Sequence, residues 1–143
     1  MSKTSRALGV DPGSSRIGLA LSDELGCMAH PLRTLPSGTE EANARAIAAV
    51  AAEKASPAIV IGLPRNMNGT HGPAAEKSCS LAEALKPLTT AQVLLWDERL
   101  TTAAATRRLQ EAGRNSREQR GIIDQAAAVQ ILQDWLDANT QPG

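Results

Sequence analysis

A mixed α/β fold, one sheet with helices on both faces, is the class this sequence predicts. Three observations predict it. The first part of the chain holds three strand-like segments joined by tight turns. Two later segments, Ala58–Gly62 and Gln92–Trp96, read as buried strands. Ala-rich stretches with helix start and stop signals separate and follow those two strands. Helices between buried strands imply right-handed crossovers, so a parallel part extends an antiparallel meander.

Taken in order, Ala7–Val10 is a short apolar run ending in Asp11, and Pro12-Gly13-Ser14-Ser15 is a turn signal. Arg16–Ser22 carries Ile17, Leu19 and Leu21 at period two, which is a strand. Asp23-Glu24-Leu25-Gly26 turns again. Cys27 to Leu35 reads as a third strand, and Pro31 suggests that it lies at an edge. Ser37 and Glu40 have capping-box spacing before a helix over Glu41–Ala55, which Ser56-Pro57 ends. Ala58–Gly62 contains nothing polar and reads as a fully buried strand. Leu63–Gly72 is a polar loop with an Asn68-Gly69 turn. Pro73 opens a helix that runs to about Lys86, where Pro87 stops it. Thr101 or Thr102 caps a helix ending at Gly113. Ser116 and Gln119 again have capping-box spacing, ahead of a final helix carrying Ile122 to about Asp137.

The chain has 143 residues, the size of one compact domain. Residues 1–138 are expected to form it, with 139–143 as a loose tail. Hydrophobic residues make up 42% and charged residues 21%, an ordinary composition for a folded domain. Phe and Tyr are absent and Ala accounts for 25 residues, so Ala, Ile, Leu and Val must fill the core. Trp96 and Trp135 are the only aromatics and are expected in it. Binding single strands by stacking needs exposed aromatics, and with almost none in the chain the composition argues against that mode. The 15 basic residues balance 15 acidic ones, which excludes a globally basic nucleic-acid coat but not a local basic patch. The opening Met1-Ser-Lys-Thr-Ser-Arg6 has no apolar h-region and no run reaches membrane-spanning length, so a cytoplasmic location is expected. Cys27 and Cys79, without a C-x-x-C, read as free buried thiols. His30 and His71 read as loop residues, and any metal would need carboxylates.

Three acidic positions stand out. Asp11 ends the first strand, where it is either a turn residue or a functional carboxylate. Asp97-Glu98 ends the last strand, and strand ends are where sites lie in open α/β sheets. Side chains alternate, so only one of Asp97 and Glu98 faces a given side. Asp124 precedes Ala128, Ile131 and Trp135 at helical intervals, on the apolar stripe of the final helix. An inward carboxylate there is costly unless it caps, pairs or binds metal. If these ends converge, they form an all-oxygen cluster whose mutual repulsion a cation relieves. Hard oxygen ligands select Mg2+ or Mn2+, and two such ions about 3.5–4 Å apart suit phosphodiester cleavage. The stretch Arg99–Arg120 holds six Arg against Glu111 and Glu118, a local excess of four positive charges suited to phosphate. Arg16, Arg99, Thr101, Thr102, Asn66 and Asn68 are the candidate substrate contacts. The helix start near Thr101-Thr102 also offers free amides to an anion.

Four segments together carry a family resemblance. They are Gly9-Val-Asp-Pro-Gly-Ser-Ser-Arg-Ile-Gly18, Ile61-Gly-Leu-Pro-Arg-Asn-Met-Asn-Gly-Thr70, Asp97-Glu-Arg-Leu-Thr-Thr102 and Ile123-Asp-Gln-Ala-Ala127. In this order they resemble the YqgF family, also called RuvX, whose members are pre-16S rRNA nucleases related to Holliday junction resolvases. The resemblance covers Leu8 to Leu136. It implies a ribonuclease H-like fold with five strands in the order 3-2-1-4-5. It also implies an acidic site at Asp11, Glu98 and Asp124, and a role in maturing the 5′ end of 16S rRNA in the bacterial cytoplasm. Related resolvases carry an acid at the end of strand four, where this chain has Leu63-Pro64; Asp97-Glu98 from strand five stands in for it. The expected function is metal-dependent hydrolysis of phosphodiester bonds, with pre-16S rRNA as substrate and a monomer or homodimer as the assembly. Two other readings stay open: resolution of four-way DNA junctions, which needs paired active sites, and a non-catalytic RNA-binding assembly factor.

Overall fold

The computed structural model describes residues 6–13, 15–64, 68, 70–98 and 117–139, and the side chains of the last helix from Gln125 onward. Five strands form one sheet: β1 (Ala7–Pro12), β2 (Arg16–Ser22), β3 (Ala29–Pro36), β4 (Ala58–Leu63) and β5 (Gln92–Asp97). Their order is β3-β2-β1-β4-β5, as the resemblance implies. β1, β2 and β3 pair antiparallel, while β4 joins β1 and β5 joins β4 in parallel. The central strands β1 and β4 are the most apolar and the most buried, because both of their faces are covered.

Alternation along the strands builds two cores. Leu8, Val10, Ile17, Leu19, Ile59 and Ile61 point to one face, where α1 (Glu40–Glu53) and α2 (Pro73–Leu85) cover them. Ala7, Ala20, Ala58 and Val60 point to the other, under α3 (Arg117–Asn139). That second face is paved with small residues, so α3 sits close. A Cβ on Gly9 would fall 2.7 Å from Leu132 Cβ and 2.9 Å from the Ala128 carbonyl oxygen. The Ala-rich composition therefore has a structural use: it lets a helix backbone approach a strand.

α1 starts at Thr39, whose Oγ1 accepts from the Ala42 amide at 3.1 Å. Thr39 caps in place of Ser37, because Asn43 occupies the preceding loop. Asn43 Oδ1 accepts from the Gly38 amide, and its Nδ2 donates to the Gly38 carbonyl and to Ser37 Oγ. At the other end of α1, Ala55 adopts φ 52° and the Ser56 amide returns to the Ala51 carbonyl at 2.9 Å, a Schellman closure. α2 begins at Pro73 as its spacing predicts, and a short 3-10 turn, Lys86–Leu88, follows it.

Three expectations need correction. β5 is an edge strand and is not fully buried; Leu95 is 40% exposed. Its apolar run reflects one covered face, and sequence alone does not separate that from two. Cys27 is exposed and Cys79 half-buried, although both are free. Cys27 sits in the β2–β3 turn. There Asp23 accepts the Cys27 amide at 2.9 Å, and this bond is the main cause that holds the Asp23 carboxyl below its ordinary pKa. Trp96 and Trp135 are only partly buried, packed against the α3-side core. The predicted helix between Thr101 and Gly113 and the Ser116 cap lie outside the described residues. Among the described helices, none is long and apolar enough to cross a membrane.

Candidate active site

One row of residues crosses the sheet at its functional end. Asp11 on β1 lies opposite Gly18 on β2, and Gly18 lies opposite Thr34 on β3. On the other side, Val10 pairs with Ile61, so Asp11 falls next to Gly62 one step on, and Gly62 pairs with Trp96 on β5. Neighbouring strands are about 4.8 Å apart. Asp11 therefore stands between two glycines. Following Ala7 and Gly9 at period two, it takes the α3 face, and no side chain on either neighbouring strand crowds it.

Glu98 immediately follows β5 and reaches back over this row. A Cβ on Gly62 would meet Glu98 Oε2 at 2.6 Å and Ile131 Cδ1 at 2.5 Å. The Glu98 carboxylate thus occupies the space that the missing side chain of Gly62 leaves, on the strand beside Asp11. Both acids are almost fully buried, Asp11 at 1% and Glu98 at 2% exposure. Gly62 escaped the sequence reading, which treated it as the tail of an apolar strand. The available signal was a glycine inside a strand, which marks a close approach.

Asp97 is the last residue of β5, opposite Leu63, and alternation puts it with Val93 on the α1–α2 side. The structure thus separates Asp97 from Glu98 and puts Glu98 on the Asp11 side.

α3 runs antiparallel to β1. In its third turn, Gln125 Nε2 donates to Thr34 Oγ1 at 2.9 Å, in the row of Asp11. Two turns later, Gln133 Oε1 accepts from the Ala29 amide at 2.9 Å, at the far end of the sheet. The α3 backbone at position 124 therefore belongs to the Asp11 end. The side chain of Asp124 lies outside the described residues, so the structure leaves its part in the cluster open.

Arg16 starts β2 two residues before Gly18, beyond the Asp11 row and, by alternation, on the same face. Among the described residues its Nη1 is buried without a hydrogen-bond partner, and so is Trp96 Nε1. Buried donors left unpaired in this way are uncommon and suit an acceptor supplied from outside. Asn68 is exposed, and its Oδ1 accepts from Thr70 N at 3.1 Å and from Thr70 Oγ1 at 2.6 Å. That carbonyl shapes its own turn. Asn66, Arg99, Thr101 and Thr102 lie outside the described residues. His30 and His71 are both exposed; His71 lies in the loop before α2, but His30 belongs to β3, opposite Leu21, and not to a loop.

Among the described residues, no three His, Cys, Asp or Glu side chains are grouped to hold a metal ion. Asp11 and Glu98 still fit a hard cation chemically. They are two buried carboxylates on one face, with no soft ligand beside them.

Comparison with known proteins accords with this geometry. A family model described as "RuvX: Holliday junction resolvase" matches residues 5–138. A relative from Myxococcus xanthus, named "Putative pre-16S rRNA nuclease", is 45% identical over 137 residues, covering 96% of this chain and 91% of its own. A protein of the same name from Mycobacterium tuberculosis is 44% identical over 145 residues, covering 96% of this chain and 85% of its own. Among solved structures, RuvC from Thermus thermophilus in complex with Holliday junction substrate superposes with a TM-score of 0.59 at 15% identity, over 93% of this chain and 94% of that one. Fowlpox virus resolvase with Holliday junction DNA gives 0.51 at 10% identity, over 95% and 99%. At such identities the structural likeness speaks for the fold alone, which is ribonuclease H-like.

Proposed function

The chain belongs to the RuvX family, and from that premise we propose that it is a metal-dependent nuclease that trims the 5′ end of pre-16S rRNA. The observation that carries this reading is the placement of Asp11 and Glu98. Two buried carboxylates, one on β1 and one just past the end of β5, share one face at one end of the sheet, with Gly62 leaving room for the second. Asp124, on the α3 backbone at that end, would complete the set. As hard oxygen ligands on one face, the pair suits Mg2+ or Mn2+, one ion or two. A bound divalent cation would supply charge neutralisation and Lewis-acid stabilisation of the negative charge that builds on the phosphoryl oxygens.

The remaining work falls to the chain itself. β1 is covered on both faces, so Asp11 is held on a rigid support. Arg16, with its unpartnered Nη1, would orient a substrate phosphate. Arg99 and the basic stretch to Arg120, with Thr101 and Thr102, would hold the strand on either side of the cut. Asn66 and Asn68 would line its path along the β4–α2 loop. The cytoplasm is the expected place of action.

A second reading, resolution of four-way DNA junctions, is favoured by the description of the family model. It needs two active sites and hence a homodimer. The test is one experiment. Purified protein is incubated with precursor rRNA and with a synthetic junction, with Mg2+ or Mn2+. Asp11→Asn and Glu98→Gln are controls. The expected result is cleavage of the precursor that each variant lowers by at least about 100-fold, with the fold retained. Wild-type rates from Asp11→Asn would refute the site. Paired incision of the junction alone would establish the second reading. Tight RNA binding with no cleavage and no metal binding would identify an assembly factor instead.

A further inference from the structure

Lys77 lies on α2, on the opposite face of the sheet from α3. Its Nζ reaches the carbonyl oxygen of Gly13 at 3.0 Å, across 64 positions of sequence. Among the described residues, no carboxylate pairs with it, so its charge is directed at a main-chain oxygen. That oxygen belongs to the turn that leaves Asp11. The Gly13 amide bonds back to the Asp11 carbonyl at 3.0 Å, which folds Asp11-Pro12-Gly13 into a tight hairpin bend. The bend has little room to relax: a Cβ on Gly13 would fall 2.5 Å from the Arg16 carbonyl oxygen. Ser37 also bonds this region, its amide donating to the Ser15 carbonyl at 3.0 Å.

We propose that Lys77 is a positioning residue for the nuclease site, one that pins the turn behind Asp11 from the far side of the sheet. A charged donor makes a shorter and stronger bond to a carbonyl than a neutral one. The bond fixes the Gly13 peptide, and through Pro12 and the Gly13–Asp11 bond it limits how the Asp11 backbone can rotate. The orientation of a carboxylate buried at the end of a strand follows its backbone. Small misplacements of a reacting group cost large factors in rate, so a tether that touches neither substrate nor cation can still set kcat. The same tether couples the first turns of α2 to the Asp11 turn.

The proposal rests on the nuclease reading, and its test separates the two. Lys77→Met removes the ammonium and keeps the stem; Lys77→Arg keeps a charged donor. The full-length proteins are compared by cleavage of precursor rRNA with Mg2+ and by amide hydrogen exchange at Gly13. In Lys77→Met, kcat is expected to fall about 10-fold or more with KM within about twofold. Gly13 exchange should quicken by a similar factor while Val10 and Ile61 keep their protection. Lys77→Arg should restore both readouts most of the way. Wild-type kcat and unchanged Gly13 exchange in Lys77→Met would overturn the proposal. So would a raised KM at unchanged kcat, which would make Lys77 a substrate contact. If the wild type cleaves nothing, the nuclease reading fails. Gly13 exchange then decides the tether by itself.

Discussion

At position 62 a single methyl group would compete with the Glu98 carboxylate for the same space. The Cβ of an alanine there would lie 2.6 Å from Glu98 Oε2 and 2.5 Å from Ile131 Cδ1. Gly62→Ala is therefore expected to push Glu98 off the sheet and α3 outward, lowering cleavage at least about 10-fold and stability by about 1–3 kcal/mol. Parallel rate measurements and urea unfolding check this. A rate equal to wild type would mean that the position of Glu98 does not matter. At this scale the sequence made the acids visible, because carboxylates at the ends of apolar strands are conspicuous. It could not choose between Asp97 and Glu98. That choice depends on which face α3 covers, and the parity of a strand carries no label for its faces. Gly62 carried a signal, a glycine inside a strand, but neither its partner Glu98 nor the partner of Lys77 was legible, since each lies far away in sequence.

Among the elements, α1 carries the clearest strain. Ala55 sits at φ 52°, where a Cβ is disfavoured and glycine is the usual occupant of a Schellman closure. Ala55→Gly is expected to raise stability by about 0.5–1 kcal/mol, after allowing for the greater freedom of glycine in the unfolded chain. Urea titration with an unchanged slope would show this as a higher midpoint. A lower midpoint would contradict the assignment of strain. Element types followed well from period and punctuation: alternation gave β2, the turn signals gave the meander, and Pro73 gave the start of α2. Boundaries followed less well. Thr39 replaced Ser37 as the α1 cap because Asn43 made competing bonds in the loop, whereas the final helix begins at Arg117, directly after Ser116, as the capping-box spacing places it. The exposure of β5 was hidden because an apolar run looks alike at an edge and in a centre.

The molecule as a whole uses its two cores differently. The α1–α2 side is filled by branched side chains and carries stability. The α3 side is paved by Gly9, Ala20, Ala58 and Gly62, which draws the helix close and brings position 124 to the end of the sheet where Asp11 and Glu98 lie. Order 3-2-1-4-5 puts β1 beside β4 and both near the centre, so Asp11 rests on a well-supported strand while Glu98 reaches in from the end of the edge strand β5. The central claim is that carboxylates distant in sequence meet there to hold divalent ions. The most direct measurement is a crystal grown with Mn2+ and read by anomalous scattering. The account predicts a peak within about 2.3 Å of carboxylate oxygens of both Asp11 and Glu98, lost in Asp11→Asn. A cleavage-competent wild-type crystal with no peak between those residues, or with Mn2+ held elsewhere, would contradict it.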